Sequence, residues 1–407
     1  MHSTCTVLSR TSSFGLLCRR TCSPRGYATQ HISYRLTPHI LTPRPLASLL
    51  LTRRDCLSAL QAAVTFRHTR KPAQQQAVST MAHHSQEDLG KFSYEVVPQL
   101  SSELSKGMSG KVATIGGCRE YTGAPYFASI TCLRVGADLS HCFCTSGAAT
   151  VIKSYSPELI VHPYLPDSTD YDDDLAEGKK QKIYDKSLGA IKHWLERFDT
   201  IIIGPGLGRD EMVHHVVVEA IKWMRENNKH MVLDADGLYI VTKNLDLIKG
   251  YKNAILTPNK AEFGRLAKQL DVDLEDKDRQ DQLEQIAKKL EGPLVVQKGA
   301  KDGISDGTTT IYCEGGGSKR RAGGQGDVMT GAIATHLAWI LTYQERANDP
   351  SKFPGGLPPL MLAAWGGCHI ARVAAELSFA IHKRSMVAGD VIDKLGEAVD
   401  KLYGSKT

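Results

Sequence analysis

The residues best suited to chemistry stand in a glycine-rich run, Gly323-Gly324-Gln325-Gly326, followed directly by Asp327 and an apolar helical pattern. Backbone N–H groups at the start of a helix have no intrahelical partner, and glycine leaves them accessible, so the run predicts an anion hole. A carboxylate beside such a hole can accept the proton of an attacking hydroxyl, which makes Asp327 a candidate general base. The structural alternative is a helix with an acidic first turn, favoured by its dipole.

Basic residues stand just before this run, where Lys319, Arg320 and Arg321 could meet phosphate. The Gly-Lys pair at 110–111 does not form a Walker A loop, because Val112 follows the lysine and no glycine stands at the required upstream position. If the chain uses ATP, it therefore binds the phosphates by another scheme.

A second glycine-rich loop follows a β-branched run and contains Gly204, Gly206 and Gly208. Its spacing does not match a dinucleotide fingerprint, because Arg209 stands where the third glycine is required. The loop is therefore either a ligand loop or a tight turn.

Polar residues follow three other apolar runs. Asn259 and Glu262 have the spacing of a capping box, although the same spacing could organise water and Mg²⁺ near phosphates. The turn at 298–302 could wrap a nucleotide or join two strands of a hairpin. Asp234 and Asp236 lie at a predicted strand end, where they could serve a ligand or cap a helix.

These segments need elements to position them, and from about residue 111 short apolar runs alternate with amphipathic stretches. The pattern predicts an α/β fold with one large, mostly parallel sheet and helices on both faces, in which ligands gather where strands end. The predicted strands are Val112–Ile115, Leu139–Phe143, Leu159–Val161, Thr200–Ile203, Met231–Leu233, Ala254–Leu256, Leu294–Val296 and Thr309–Tyr312. The predicted helices lie near 123–135, 179–197, 211–227, 259–270, 276–291, 326–343, 357–381 and 388–403, with another in 82–110 that Ser85 could cap.

The net charge of +6 is distributed unevenly along the 407 residues. Residues 1–80 contain eleven Lys and Arg against one acid, Asp55, whereas the remainder carries a net charge of −4. Such a leader, rich in Arg, Ser and Thr, is typical of mitochondrial targeting, although it could be an unselected extension. Met81 could serve as a second start that yields a cytoplasmic form. Residues 82–407 would then form a single enzyme domain.

Composition excludes several classes of protein. With 42% hydrophobic and 23% charged residues, the chain is neither disordered nor collagen-like. Ten cysteines without any C-x-x-C pair argue against a zinc ribbon or a thioredoxin-type redox site. The mildly acidic body predicts no nucleic-acid surface. The uncharged stretch 353–371 contains three prolines, so it predicts a buried helix rather than a membrane span.

Seven segments, in this order, together resemble the ATP-dependent NAD(P)H-hydrate dehydratase family of the ribokinase-like superfamily: GKVATIGGCREYTGAPYFAS, GADLSHCFC, GPGLGRD, VLDADGL, LTPNKAEF, VVQKGAKD and RRAGGQGDVMTG. The resemblance covers about residues 100–405. It implies a ribokinase-like domain that uses ATP, with Mg²⁺, to dehydrate the S epimer of hydrated NADH or NADPH. The ring hydroxyl would be phosphorylated, and elimination of phosphate would then restore the reduced cofactor.

The same resemblance implies residue roles. Asp327 would be the base, and Gly324, Gln325 and Gly326 would bind the transferring phosphoryl group. The hydrated dinucleotide would contact Gly206, Asn259, Lys260, Ala261, Glu262, Phe263, Gly264, Arg265 and Asp327. ATP would contact Lys298, Gly299, Ala300, Lys301, Asp302, Gly317, Ser318, Lys319, Arg320, Arg321, Ala322, Gly323, Gly324, Gln325 and Gly326. Asn259 and Glu262 could reach a metal ion through water.

The implied partners are small molecules, together with a separate NAD(P)H-hydrate epimerase, because the roughly 100 residues before the body are too few for a fused epimerase domain. The sequence also allows the chain to form a homo-oligomer. The nearest alternative function is a ribokinase-like kinase for a vitamin-precursor alcohol, which would share Asp327 and the anion hole but release a stable phosphate ester. A hydride-transferring dehydrogenase is disfavoured by the glycine spacing at 204–209.

Overall fold

The computed structural model describes residues 84–172, 174–275, 277–346 and 353–406; the predicted leader 1–80 and the start at Met81 lie outside these ranges. One nine-stranded sheet has the order β3-β2-β1-β4-β5-β6-β7-β8-β9. Strands β1 to β7 are parallel, and β8 and β9 are antiparallel additions at one edge. The strands are β1 Lys111–Ile115, β2 Leu139–Thr145, β3 Ile160–Leu165, β4 Thr200–Ile203, β5 His230–Leu233, β6 Ala254–Leu256, β7 Leu294–Gln297, β8 Asp302–Ser305 and β9 Thr310–Cys313.

Helices cover both faces of this sheet. They are α1 Gln86–Val96, α2 Gly123–Val135, α3 Ser146–Tyr155, α4 Glu177–Leu195, α5 Glu211–Glu226, α6 Ala235–Lys243, α7 Lys260–Gln269, α8 Arg279–Leu290, α9 Gln325–Arg346, α10 Pro359–His382, α11 Ala388–Asp393 and α12 Leu395–Tyr403. None of the helices in the described ranges is long and apolar enough to cross a membrane.

The sheet separates two apolar cores because successive side chains of a strand point to opposite faces. In β4, Ile202 packs in the core formed with α2, α9 and α10, whereas Ile201 and Ile203 pack in the core formed with α4, α5 and α8. Both faces of the central strands are therefore covered, as expected of parallel strands that read as continuous apolar runs.

The strand order reverses between β1 and β4, and this reversal creates the crevice in which doubly wound folds bind ligands. The loops that follow these two strands are joined at the crevice. Gly117 N donates to Gly206 O over 3.1 Å, and Gly204 N donates to Ile115 O over 3.0 Å. The glycine-rich loop at 204–208 is thus held at the carboxyl end of the sheet.

The sheet and the predicted helices are confirmed, with four differences. Strand β8 and helices α3 and α6 were not predicted, because they are short, at four, ten and nine residues. The predicted helix 388–403 is two helices that meet at Lys394. The N-terminal helix is confirmed, and Ser85 caps it by accepting a hydrogen bond from Asp88 N over 3.1 Å.

A substitution of Gly204 tests how closely the glycine-rich loop at 204–208 packs against the backbone of Asp234. Its φ is 126°, and a Cβ there would overlap the backbone oxygen of Asp234. We expect Gly204→Ala to lower the free energy of unfolding by roughly 2–4 kcal/mol, measured by urea denaturation. The matched control is Gly189→Ala on the exposed face of α4, where a Cβ meets nothing within 4 Å; it should raise stability by about 0.5–1 kcal/mol. Equal stabilities of the two variants would contradict this packing.

Candidate active site

A cavity of about 750 Å³ opens at the carboxyl ends of β5, β6 and β7, against the start of α9. It brings together most of the sequence segments that we expected to bind phosphate. The expected residues in its wall are Asn259, Lys260, Glu262, Lys298, Gly299, Ala300, Asp302, Gly317, Ser318, Arg321, Ala322, Gly323, Gly324, Gln325, Gly326 and Asp327. The tertiary structure thus unites segments that are up to about 70 residues apart in the chain.

The glycine turn places the start of α9 on the cavity wall. Gly324 has a φ of 89°, and a Cβ there would lie 2.6 Å from Ala388 Cβ and 2.8 Å from the ring of Phe127. Only glycine fits this conformation and this space. The backbone N–H groups of the first helical turn lack intrahelical partners, so this part of the wall can bind an anion.

Asp327 lies in the first turn of α9 and borders two cavities. Besides the large one, it lines a cavity of about 310 Å³ that also contains Gly206, Arg209 and Asp236. Burial, together with the nearby charge of Asp234, raises the pKa of Asp327 to about 8. A carboxyl group with a raised pKa in a cleft has the properties required of a general base near neutral pH.

A buried ion pair adjoins Asp327. Lys298 Nζ lies 2.6 Å from Asp234 Oδ1, and Thr330 Oγ1 donates to the other oxygen, Oδ2, over 2.7 Å. Burial opposes both charges. Lys298 and the hydrogen bonds from Thr330 and Ala235 together outweigh it and lower the pKa of Asp234. The nearby carboxylates, Asp234 first among them, together raise the pKa of Lys298. Asp234 also caps α6 by accepting from Ala235 N, which realises the capping alternative for this residue.

The segment at 259–262 forms the capping box that its spacing allowed. Asn259 Oδ1 accepts from the backbone N of Ala261 and Glu262, and Glu262 Oε2 accepts from Asn259 N over 2.8 Å. Burial raises the pKa of Glu262, and its side chain lines the large cavity. The capping box therefore gives hydrogen-bond partners to the free backbone N–H groups at the start of α7. It also orients the Glu262 carboxyl group at the cavity wall.

Arg372 is a site residue that we did not identify from the sequence, because it lies within the apolar pattern of α10. Its Nη1 pairs with the buried Asp302 carboxylate over 3.1 Å, and its Nη2 donates to Ala300 O over 2.6 Å. Its Nε donates to Gly315 O, and its backbone oxygen accepts from Gly317 N. Arg372 therefore joins the two segments expected to hold ATP.

Apolar residues complete the large cavity. Val328 and Met329 follow Asp327 on α9, and further apolar atoms come from Ala371, Ala375 and Val391. A wall that combines anion-binding backbone with an apolar patch suits a nucleotide, whose base is flat and whose phosphates are charged.

Several expected ligand residues lie away from the large cavity. Phe263 is 2% exposed and packs in the core beneath α7, and Lys301 pairs with Glu314 over 3.0 Å. Gly206 lines the smaller cavity, and Arg265 lines a separate groove. Ala261, Gly264, Lys319 and Arg320 lie outside the walls of the cavities described here. The ligand roles of these residues stay predictions.

The Arg372–Asp302 pair provides a stability test of this site. Asp302 is 4% exposed, so removing its partner leaves a buried charge. We expect Arg372→Ala to lower the free energy of unfolding by about 3–5 kcal/mol, measured by denaturant titration. Lys301→Ala, which breaks a pair exposed by about half on both sides, should change it by less than about 1 kcal/mol. A small change in the free energy of unfolding of Arg372→Ala would contradict the inference that Arg372 joins the two segments.

Comparison with known proteins identifies the family to which the chain is similar. The model of the NAD(P)H-hydrate dehydratase family matches residues 112–395. An ATP-dependent (S)-NAD(P)H-hydrate dehydratase from Arabidopsis thaliana is 44% identical over 326 residues, which cover 80% of this chain and 88% of that protein.

Solved structures share the fold. A ribokinase-like superfamily protein from Enterococcus faecalis superposes with a TM-score of 0.60 at 18% identity, covering 77% of this chain and 94% of that chain. An ADP/ATP-dependent NAD(P)H-hydrate dehydratase from Bacillus subtilis, co-crystallised with ATP and Mg²⁺, has a TM-score of 0.51 at 20% identity and covers 77% and 97%. From the family match and the Arabidopsis identity, this chain belongs to the ATP-dependent NAD(P)H-hydrate dehydratase family.

Proposed function

We propose that this chain dehydrates the S epimer of hydrated NADH or NADPH at the expense of ATP, releasing ADP and phosphate. The observation that carries this conclusion is the position of Asp327 between two cavities. One cavity contains the segments suited to a nucleotide, and the other contains the glycine loop that ends β4. A carboxylate at the border of two cavities can accept the proton of a hydroxyl held in one while that hydroxyl oxygen attacks a phosphoryl group held in the other.

In the proposed reaction, the ring hydroxyl of the hydrate lies in the smaller cavity beside Asp327. Asp327 accepts the hydroxyl proton while the oxygen bonds to the γ-phosphorus of ATP, and the bond from that phosphorus to ADP breaks. The phosphate then leaves the ring carbon with the C–O electron pair. Loss of a proton from the neighbouring carbon restores the ring double bond.

The chain supplies positive charge where phosphoryl transfer needs it. The N–H groups at the start of α9 can bind the oxygens of the transferring group, because the first turn of a helix leaves them without intrahelical partners. Lys298 stands next to Gly326, where a Cβ would lie 3.3 Å from its Nζ, so its charge adjoins the same position. The Asp234 carboxylate holds Lys298 in place.

We propose Mg²⁺ as the accompanying ion, held mainly by the ATP phosphates. Within the described ranges, no group of three His, Cys, Asp or Glu side chains could hold a metal by itself. This fits Mg²⁺, which commonly binds through one or two carboxylates, water and substrate phosphates. Asn259 and Glu262, which both line the large cavity, could contribute through water; Mg²⁺ would supply charge neutralisation of the phosphates.

The first test is an absorbance assay on the purified chain with NADH hydrate, with and without Mg-ATP. Recovery of the reduced nicotinamide signal only with ATP is the expected result. ATP-dependent formation of a stable phosphate ester, without recovery of the signal, would instead support the alcohol-kinase alternative.

Asp327→Asn tests the proposed base. The amide keeps the shape of the side chain but cannot accept the hydroxyl proton, so we expect turnover to fall by about 10²–10⁴-fold. Circular dichroism and calorimetric ATP binding should remain close to those of the original chain. Near-normal turnover in this variant would remove Asp327 from the mechanism.

The raised pKa of Asp327 predicts a pH dependence. Only the deprotonated carboxylate can act as a base, so kcat/KM should rise with pH, with an inflection near the pKa of about 8. Asp234→Asn removes a neighbouring negative charge and should shift the inflection to lower pH. Asp246→Asn, on the exposed surface after α6, is the matched control and should leave it in place. An inflection unmoved by Asp234→Asn would assign the titration to another group.

We also propose that residues 1–80 direct import into mitochondria and that translation from Met81 produces a cytoplasmic form. The arginine-rich, acid-poor composition supports this. The functional partner of this chain would be a separate epimerase that converts the R epimer of the hydrate to the S epimer. Fusion of residues 1–80 to a fluorescent protein tests import; a cytoplasmic signal from the fusion would contradict it.

A further inference from the structure

We propose that a groove between α6 and α7 binds the 2′-phosphate of NADPH hydrate and thereby favours that substrate over NADH hydrate. We call it the cationic groove and define it by Tyr239, Lys243, Arg265 and Lys268. The inference rests on the proposed function, because it concerns the far end of the same dinucleotide.

The cationic groove is a cavity of about 340 Å³ with three exposed positive side chains in its wall. Within the described part of the chain, the side chains of Arg265 and Lys268 have no hydrogen-bond or ion-pair partner. Lys243 Nζ lies 4.4 Å from the centre of the Tyr239 ring. The acid in the wall, Glu262, already accepts from Asn259 N through Oε2. The wall therefore carries excess positive charge available to an anion.

The position of the groove matches the layout of a dinucleotide. Arg209 lines the smaller cavity together with Asp327, and its guanidinium lies 3.8 Å from the centre of the Tyr239 ring. Lys243 contacts the same ring, so cationic side chains continue from the smaller cavity, where Arg209 pairs with Asp236 over 2.6 Å, into the groove. A nicotinamide riboside at Asp327 would place its pyrophosphate near Arg209 and its adenosine near the groove.

The chemistry of the groove selects between the two substrates. NADPH hydrate differs from NADH hydrate only by a phosphate on the adenosine 2′ oxygen, which carries a charge of about −1.5 to −2 near neutral pH. Arginine and lysine form strong, charge-assisted hydrogen bonds with such a group. Selectivity for the unphosphorylated ribose commonly uses a free carboxylate instead, and the Glu262 carboxylate is engaged in its capping box.

The test compares the chain with the double variant Lys243→Ala/Lys268→Ala, using both hydrates. We expect the original chain to prefer NADPH hydrate in kcat/KM. In the double variant, the ratio of kcat/KM for NADPH hydrate over NADH hydrate should fall by about tenfold, because two charge-assisted contacts are lost. The loss should appear in KM for NADPH hydrate rather than in kcat, and high salt should reduce the preference of the original chain.

The matched control is Lys186→Ala combined with Lys182→Ala on the exposed surface of α4, which removes the same charge away from the cavities. An unchanged substrate ratio in Lys243→Ala/Lys268→Ala, or an equal fall in the control, would overturn the proposal.

Calorimetric binding of NADPH and NADH separates this proposal from the dehydratase function. Tighter binding of NADPH that is lost in the double variant supports the groove even if neither hydrate is turned over, an outcome that would reject only the catalytic proposal. Equal binding of NADPH and NADH to the original chain would reject the groove while leaving dehydration of both hydrates intact.

Discussion

The buried ion pair between Asp234 and Lys298 is the interaction on which the rest of the site depends. It joins the end of β5 to the end of β7, and Thr330 connects the same carboxylate to α9. Neither charge is stable in isolation at this depth, because burial opposes both. Their mutual attraction therefore holds together three elements that are distant in sequence, and it sets the electrostatic surroundings of Asp327.

Burial and the opposing effects of the pair set the pKa of Asp327, on which its proposed role as a base near neutral pH depends. Asp234 raises the pKa of Asp327 and Lys298 lowers it, while burial gives the largest upward shift. A carboxyl group with the pKa of an exposed aspartate would be ionised but weakly basic. The same lysine that limits the rise also stands beside the glycine turn, where phosphoryl oxygens would gather. The proposed proton transfer and phosphate binding would thus be governed by one set of charges.

Backbone geometry provides the second constraint. Gly324 permits a turn that no other residue fits, and Gly204 allows the crevice loop to lie against the backbone of Asp234. Arg372 then closes one side of the large cavity by joining Ala300 to Gly315. The cavities consequently depend on close approaches of backbone that few substitutions allow, whereas the cationic groove consists of exposed side chains that can vary without disturbing the fold.

The sequence by itself determined the class of fold, the parallel central strands and the importance of the GGQGD segment. The alternation of strand-like and helix-like apolar patterns is a local property of the chain, and so is a run of glycines before a helix with an acidic first turn. It could not identify Arg372, whose role arises from contacts with Ala300 and Asp302 about 70 residues away. The sequence allowed two interpretations, helix capping or ligand binding, for Asp234 and for the pair Asn259 and Glu262, because both roles require the same residue types. Only the tertiary structure showed that these residues cap helices and also line the large cavity. Ion pairing, burial and shared cavity walls depend on which strand ends lie side by side.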